Sequence, residues 1–260
     1  MTAETILLVG RDGGNRRDVM DAHAGRLERR SGVDEVQTAT YEQEPVRELR
    51  AEFEQLSAET VYAVPMCAAH DHQTLTDIPA ALSSLSGTVH YCEPIGQSGA
   101  VTDVIEERAA DLVTPGSDAT LIIVGFGSSS KPHQRETARY HAARLSEQSA
   151  YNSVLTCYLL QNPAVECVRY NVRTSRAVAV PMFVSRTDAT ESHIPDALEL
   201  QRGGIEYGAP FGEHPRITDA IHAEVEKQRT LASEDAAGTT SLEGQLAETR
   251  RPLATDGEGV

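Results

Sequence analysis

The sequence predicts an α/β protein made of two copies of one unit, each with a parallel β-sheet covered by helices. First, the segment VPM at 64–66 recurs at 180–182 and IP at 78–79 recurs at 194–195, an offset of 116 residues. Second, short β-branched segments alternate with segments of helical periodicity in both halves, which is typical of parallel sheets. Third, a glycine directly follows the first predicted strand of each unit, where a sharp turn must start the next helix.

The first unit contains four predicted strands, which are short β-branched segments bounded by turn residues. In chain order they are ILLVG, VQTAT, VYAVP and VHYCE. Helices are predicted between them because apolar or small residues recur every fourth position, as at Val19, His23 and Leu27, and again at Val101, Ile105 and Ala109.

The second unit repeats this order with LIIVG, VLTCYL, AVAVPMF and GIEYG. Pro79 and Pro195 fall where a first helical turn is expected, a position that tolerates the missing N–H. Because ligands of parallel α/β sheets bind beyond the carboxyl ends of the strands, two facing units predict a ligand cleft between them.

The predicted domains are residues 1–116 and 117–228, separated at the turn-rich segment LVTPGSD. Residues 229–260 contain no aromatic residue and few residues that a core could bury. They are predicted to be a disordered acidic tail, with a short helix at 241–249 as an alternative.

The net charge of −16 excludes the usual basic footprint of a nucleic-acid-binding or anionic-membrane-binding protein. Lys131 and Lys227 are the only lysines. An acidic surface with so few lysines suits a salt-rich cytoplasm, where self-repulsion is screened, and a halophilic protein is the resulting hypothesis.

Four scattered cysteines without Cys-x-x-Cys spacing argue against a zinc ribbon or a redox pair and indicate reduced thiols. The N-terminal segment lacks a basic start followed by a long apolar stretch, so no signal peptide is expected. No segment approaches the roughly 18 apolar residues of a membrane span. A soluble, cytoplasmic protein is the resulting expectation.

Three ordered motifs, present over residues 5–228, resemble those of the class II chelatases of the CbiX type. They are the Val-Gly turn after the first strand, the Val-Pro-Met…Asp-Ile-Pro loop, and the Glu-Pro-Ile-Gly…Val-Thr-Asp-Val-Ile segment. The resemblance implies two flavodoxin-like halves and a lyase that inserts a divalent metal into sirohydrochlorin, a carboxylate-rich tetrapyrrole. Co²⁺ is the implied substrate metal, with Ni²⁺ or Fe²⁺ as alternatives because imidazole ligands suit all three. No organic cofactor is implied.

The chain departs from this family at the places where metal-binding histidines are expected. The turn histidine is replaced by Arg11 in the first half and by Phe126 in the second. The loop histidine is replaced by Gln73 and Ala189. Transfer by strict position therefore gives no metal ligand.

Neighbouring residues are the remaining candidates for the chemistry. His72 and His70 are predicted as metal ligands or bases, since neutral imidazole binds such metals and accepts protons, and His193 is a further metal ligand. Arg11 is predicted to pair with substrate carboxylates, and Gln73, Asp77 and Ser128 are further substrate-binding candidates. Alternatives stay open: a loop histidine with no role, Asp77 or His193 as a helix cap, and a flexible turn rather than an anion site at Gly-Ser-Ser-Ser 127–130.

Two rival functions also stay open. With the turn histidine absent from both halves, the protein is alternatively a non-catalytic paralogue that carries or senses metal or tetrapyrrole. Another metal-dependent lyase on the same scaffold is the third hypothesis. Sequence leaves open whether the chain is a monomer or a homodimer.

Overall fold

Two four-stranded parallel sheets form the core of the protein in a computed structural model, which describes residues 4–30 and 35–235. The strand order is β2-β1-β3-β4 in the first sheet and β6-β5-β7-β8 in the second. The predicted fold class, a duplicated α/β unit with parallel sheets, is confirmed.

The first half contains four strands and four helices in alternation. Their bounds are β1 Glu4–Arg11, α1 Arg16–Leu27, β2 Glu35–Tyr41, α2 Pro45–Phe53, β3 Thr60–Pro65, α3 Ile78–Leu82, β4 Thr88–Tyr91 and α4 Gly99–Ala110. A 3₁₀ turn, Ile95–Gln97, precedes α4.

The second half follows the same order, although its last strand has only two residues. Its elements are β5 Ala119–Gly125, α5 His133–Gln148, β6 Ser153–Tyr158, α6 Val165–Val168, β7 Arg176–Pro181, α7 Ile194–Ala197, β8 Glu206–Tyr207 and α8 Pro215–Asp235. Two 3₁₀ turns, Arg169–Asn171 and Leu200–Arg202, flank this sheet.

Strand residues alternate between a shared core and an outer core, as the two-residue period of a β-strand requires. In β1, Ile6 and Leu8 belong to a core cluster common to both halves, while Leu7 and Val9 belong to a cluster of the first half alone. In β5, Leu121 and Ile123 belong to the shared cluster, while Ile122 and Val124 belong to a cluster of the second half alone. Both faces of each sheet are therefore covered by apolar packing.

The last helix of each half packs on the opposite half. Helix α4 contacts α5 and β7 of the second half, and α8 contacts α1 and β3 of the first. Each half therefore completes its core with a helix contributed by the other. The predicted boundary at 116/117 lies in the turn between α4 and β5.

The duplicated loop ends in a π-helical turn in both copies, at Gln73–Asp77 and Ala189–His193. Each turn continues directly into a short helix with proline in its first turn. Tyr91 donates its hydroxyl proton to the Thr74 carbonyl at 2.7 Å, and Tyr207 donates to the Thr190 carbonyl at 2.9 Å. An equivalent tyrosine therefore fixes each π-helical turn. Such turns are rare and often occur at functional sites.

The predicted tail begins too early. Helix α8 continues to Asp235, and Arg229 forms a 2.7 Å ion pair with Glu4 and stacks over the Tyr62 ring. These contacts of Arg229 connect the helix to the first half beyond residue 228. The rest of the predicted tail, including the alternative helix at 241–249, lies outside the described residues. In the described part of the chain, no helix is long and apolar enough to cross a bilayer.

Candidate functional site

A cleft of about 690 Å³ lies between the two halves, at the carboxyl ends of β1, β3, β5 and β7. Its volume is within the usual range for small-molecule sites. Both copies of the duplicated loop contribute to it, through residues such as Gln73 in the first half and Ala189 in the second. The expected location of a ligand cleft thus matches the structure.

The first-half wall of the cleft is polar. Arg11, the last residue of β1, is exposed and lines it. Gln73 also lines it, and its side-chain oxygen accepts a 3.2 Å hydrogen bond from the buried Tyr41 hydroxyl. Burial raises the pKa of Tyr41, so this phenol is a stable proton donor that orients Gln73.

A half-buried arginine, Arg16, also lines the cleft. Arg16 donates from Nε to the Ser185 hydroxyl at 2.9 Å and from Nη1 to the Met66 carbonyl. Burial lowers its pKa, although the neighbouring Cys67 and Tyr41 oppose that shift. Because Met66 follows β3 and Ser185 follows β7, Arg16 joins the two copies of the loop.

Cys67 also lines the cleft, but it is not a ready thiolate. Burial, and then the nearby Asp71 carboxylate, raise the pKa of its thiol. Its Sγ lies 3.4 Å from the Ala69 carbonyl oxygen, as a thiol donor would. A protonated thiol is a poor metal ligand at neutral pH.

The second-half wall combines an apolar patch with polar residues such as Ser128, Asp188 and His193. Phe126 stands at the position equivalent to Arg11 and is 42% exposed, and Leu160 beside it is 57% exposed. Phe183 packs edge-on against Phe126 with ring centroids 6.3 Å apart. Three apolar side chains are therefore presented to the open cleft.

Ser128 lines the cleft from the Gly-Ser-Ser-Ser turn. Its hydroxyl accepts hydrogen bonds from the backbone N–H groups of Ser130 and Lys131 at 3.3 and 3.2 Å, and its own N–H donates to Gln161 at 3.2 Å. These three N–H groups are already paired, so the turn is held by its own hydrogen bonds rather than open to an anion.

The structure separates the two histidines of the first loop copy. His72 is exposed, directly precedes the π-helical turn, and is not among the residues that line the cleft. His70 is only 4% exposed and also lies outside the lining. Its Nδ1 lies 3.2 Å from the Thr74 hydroxyl and its Nε2 lies 3.0 Å from the Glu93 carboxylate. Both ring nitrogens of His70 therefore already have partners.

His193 lines the cleft and is exposed, whereas Asp77, at the equivalent position of the first copy, does not line it. Neither side chain caps the helix that follows it. Of the predicted site residues, the structure brings Arg11, Gln73, Ser128 and His193 to one cleft. Over residues 4–30 and 35–235, no group of three or more His, Cys, Asp or Glu side chains is arranged to hold a metal ion.

Asn15 joins the two halves at one edge of the cleft. Its side-chain amide donates to Glu213 at 2.6 Å and accepts from the Arg186 N–H at 2.8 Å. Its own N–H donates to the Arg186 carbonyl at 3.2 Å. The second loop copy is therefore anchored directly to the turn that follows β1.

Two buried histidines, His23 and His141, support the loops from behind and are not among the site residues predicted from the sequence. His23 bonds the Thr218 hydroxyl at 2.8 Å and the Gly212 carbonyl at 2.5 Å. His141 of the second half makes the equivalent contacts with the first half: it bonds the Thr102 hydroxyl and the Gly96 carbonyl, both at 2.8 Å.

The two histidines have the same electrostatic environment. Burial lowers the pKa of each to about 4, so both are neutral at pH 7. The available signal was the motif His-Ala-x-Arg-Leu, present at 23–27 and 141–145 with an offset of 118 rather than 116.

Comparison with known proteins gives one family. The CbiX family model matches residues 5–112 and again 120–228, which together are most of the chain. A curated protein of Halobacterium salinarum named probable sirohydrochlorin cobaltochelatase is 26% identical over 201 residues, covering 67% of this chain and 68% of that protein.

Solved structures share the fold. SirB from Bacillus subtilis with Fe³⁺ has a TM-score of 0.74 at 19% identity, covering 93% of this chain and 99% of SirB. SirB in complex with cobalt gives a TM-score of 0.70 at 19% identity and the same coverage. A multi-domain Deinococcus radiodurans protein described as similar to chelatases gives 0.71 at 22% identity. The match covers 86% of this chain but only 55% of that protein, so this chain spans about half its length.

Proposed function

The chain belongs to the CbiX family, and on that premise we propose that it is a chelatase that inserts a divalent metal ion into sirohydrochlorin in the cytoplasm. The observation that carries this proposal is the cleft between the halves, which combines a cationic side chain with an apolar patch. Sirohydrochlorin has the matching chemistry, an apolar ring face bordered by carboxylates.

Co²⁺ is the proposed substrate metal. Support comes from the Halobacterium salinarum relative, whose name specifies a cobaltochelatase, and from SirB, which was solved with cobalt. SirB was also solved with Fe³⁺, so iron is the first alternative, followed by Ni²⁺.

In the proposed reaction, the pyrrole nitrogens replace the water ligands of the metal, and two N–H protons leave the macrocycle. Arg11 holds a substrate carboxylate, because a guanidinium forms two parallel hydrogen bonds to that group. Gln73 and Ser128 are proposed as polar contacts beside it, with Asp77 further along the loop.

His193, which lies in the cleft, and His72, on the exposed loop, are the proposed metal ligands or proton acceptors. For His70 to serve as a ligand, it must exchange Thr74 or Glu93 for the metal. That exchange breaks a buried hydrogen bond, so His70 ranks below the other two.

A second function is favoured by a specific observation. With Phe126, Ala189, Arg11 and Gln73 at the positions where the resembled family has histidines, no metal-binding group of three is present in the described residues. A protein that binds the tetrapyrrole without metallating it fits this cleft equally well chemically.

One experiment separates the two functions. Purified protein is mixed with sirohydrochlorin and, in turn, Co²⁺, Fe²⁺ and Ni²⁺, and the visible spectrum is followed against a protein-free control. A chelatase accelerates the spectral change of metal insertion. The pigment-binding alternative predicts a shifted spectrum without acceleration. If no metal produces either spectral effect, both proposed functions are refuted.

The residue assignments are tested in the same assay. Arg11→Ala is expected to raise KM about 10- to 100-fold, since a charge-assisted hydrogen bond contributes roughly 1.5–3 kcal/mol. His193→Ala and His72→Ala are expected to lower kcat. Arg47→Ala, which removes an exposed guanidinium outside the cleft, is the matched control and should leave the rate unchanged.

A further inference from the structure

Three apolar side chains that line the cleft remain partly exposed. Phe126 and Leu160 are among the most exposed large apolar residues of the described chain, and both line the cleft with the half-buried Phe183. Exposed apolar groups at the wall of a cleft, opposite polar groups, mark a ligand-binding surface.

We propose that Phe126, Leu160 and Phe183 form the surface on which the flat face of the tetrapyrrole lies. The inference rests on the proposed function for the identity of the ligand.

The geometry of the aromatic pair supports this assignment. The rings of Phe126 and Phe183 are nearly perpendicular, with an interplanar angle of 80° and centroids 6.3 Å apart. Edge-to-face packing directs the edge of one ring at a face of the other, so it covers at most one ring face of the pair. Phe126 stays 42% exposed in this arrangement, so area remains for a ligand.

Charge complementarity fixes the orientation of the occupant. Arg11, the last residue of β1, and Phe126, which directly follows β5, occupy equivalent positions, and both line the cleft. A ligand with carboxylates along its edge and an apolar face satisfies both walls in one arrangement, with carboxylates toward Arg11 and the ring on Phe126. A carboxylate without a ring satisfies only Arg11, and an uncharged ring satisfies only the apolar patch.

The test measures equilibrium binding and does not depend on catalysis. Metal-free sirohydrochlorin is titrated into the full chain and into Phe126→Ser and Leu160→Ser variants, with binding read from the pigment spectrum. Each substitution is expected to raise the sirohydrochlorin Kd about tenfold, since each removes an apolar surface from the contact. Tyr170→Ser, which removes an 83% exposed ring outside the cleft, is the matched control and should leave Kd unchanged.

Citrate, a carboxylate probe without a ring, separates this wall from Arg11. Citrate affinity is measured by competition with sirohydrochlorin. Arg11→Ala should weaken citrate binding, and Phe126→Ser should leave it unchanged. Wild-type sirohydrochlorin affinity in both Phe126→Ser and Leu160→Ser would overturn the inference, and so would equal weakening of citrate and sirohydrochlorin by Phe126→Ser. If the wall variants weaken pigment binding while the unaltered protein inserts no metal, the proposed enzyme activity fails and the binding surface stands.

Discussion

The two copies of the repeated loop, residues 64–79 and 180–195, share a backbone and differ in almost every side chain that faces the cleft. Both follow a central strand, both end in a π-helical turn fixed by a tyrosine, and both continue into a helix with proline in its first turn. The first copy presents Cys67, Asp71 and Gln73, while the second presents Phe183, Thr187 and Ala189 at the equivalent positions. The scaffold residues were therefore retained while the exposed residues diverged, which gives one asymmetric cleft instead of two equal sites.

Each loop copy is also supported from behind in the same way. The Gly96 carbonyl beside the first copy accepts from His141, and the Gly212 carbonyl beside the second accepts from His23. Since each histidine belongs to the opposite half, the two loops depend on the contact between the halves for their position. Four predictions test this comparison, from the largest expected effect to the smallest.

The largest effect is expected from filling the space behind a loop. A Cβ on Gly212 would lie 1.7 Å from the Val184 carbonyl oxygen, and one on Gly96 would lie 2.1 Å from the Ala68 carbonyl oxygen. Because backbone must move in both cases, Gly212→Ala and Gly96→Ala should each lower the free energy of unfolding by roughly 3 kcal/mol or more.

Denaturant unfolding of the purified variants measures this. Gly25→Ala is the matched control, because a Cβ there meets only a flexible arginine side-chain atom at 3.6 Å and lies inside helix α1. It should be neutral or stabilising by up to about 1 kcal/mol. Unfolding midpoints of the Gly96 and Gly212 variants equal to that of the control would show that the loops are not in close contact with these glycines.

The second effect is acid destabilisation through the paired histidines. In the folded protein, burial holds the pKa of His23 and of His141 at about 4, while an unfolded histidine titrates near 6.5. Below pH 6.5 these histidines bind protons in the unfolded chain but not in the folded chain. Their contribution to stability is therefore fully present above that pH and falls as the pH drops toward 4. The expected loss is on the order of 3 kcal/mol per histidine.

Unfolding free energies between pH 7 and 4 measure this dependence. His23→Gln and His141→Gln should each remove about half of the histidine contribution to the slope, whatever their effect at pH 7. His222→Gln, at a partly exposed histidine of α8, is the control. A slope unchanged in both buried-histidine variants would contradict the assignment.

A smaller effect is expected from restoring a histidine to the cleft. Arg11→His places an imidazole at the turn where the resembled chelatases have one, so Co²⁺ affinity without tetrapyrrole should rise about tenfold. Calorimetric titration with Co²⁺ measures it. Arg17→His adds an imidazole at an exposed position that does not line the cleft. If both variants gain equally, the cleft has no special capacity for metal.

The smallest effect concerns the acidic charge, which is concentrated in the first half: residues 1–116 have 20 Asp and Glu against 9 Arg and Lys, whereas residues 117–228 have 13 against 11. Raising NaCl from low to molar concentration should raise the unfolding temperature by a few degrees, because repulsion within a chain of net charge −16 is screened. Choline chloride at equal ionic strength controls for sodium. A transition temperature independent of either salt would end the halophilic hypothesis.

The fold was accessible from sequence because its signals are short local patterns and a direct sequence repeat. β-branched segments predicted the strands, and residues that recur every fourth position predicted α1 and α4. The repeat at an offset of 116 residues predicted that both halves share one architecture. The cleft followed from the rule for carboxyl ends of parallel strands, and Arg11, Gln73, Ser128 and His193 are indeed among its lining residues.

The remainder depends on contacts distant in sequence. Nothing local to His70 indicates that Glu93 will pair with it, and nothing in α4 or α8 indicates packing on the opposite half. The repeated His-Ala-x-Arg-Leu motif was hidden by loop length. His141 follows Gly125 by sixteen residues and His23 follows Gly10 by thirteen, so one constant offset does not align them.

A crystal structure of the protein soaked with sirohydrochlorin tests the central claim, which is that two loop copies with different side chains form one binding cleft. The account predicts one macrocycle per chain, with a carboxylate within hydrogen-bond distance of Arg11 and the ring face against Phe126. A macrocycle bound outside the cleft, or one that contacts neither residue, would contradict it.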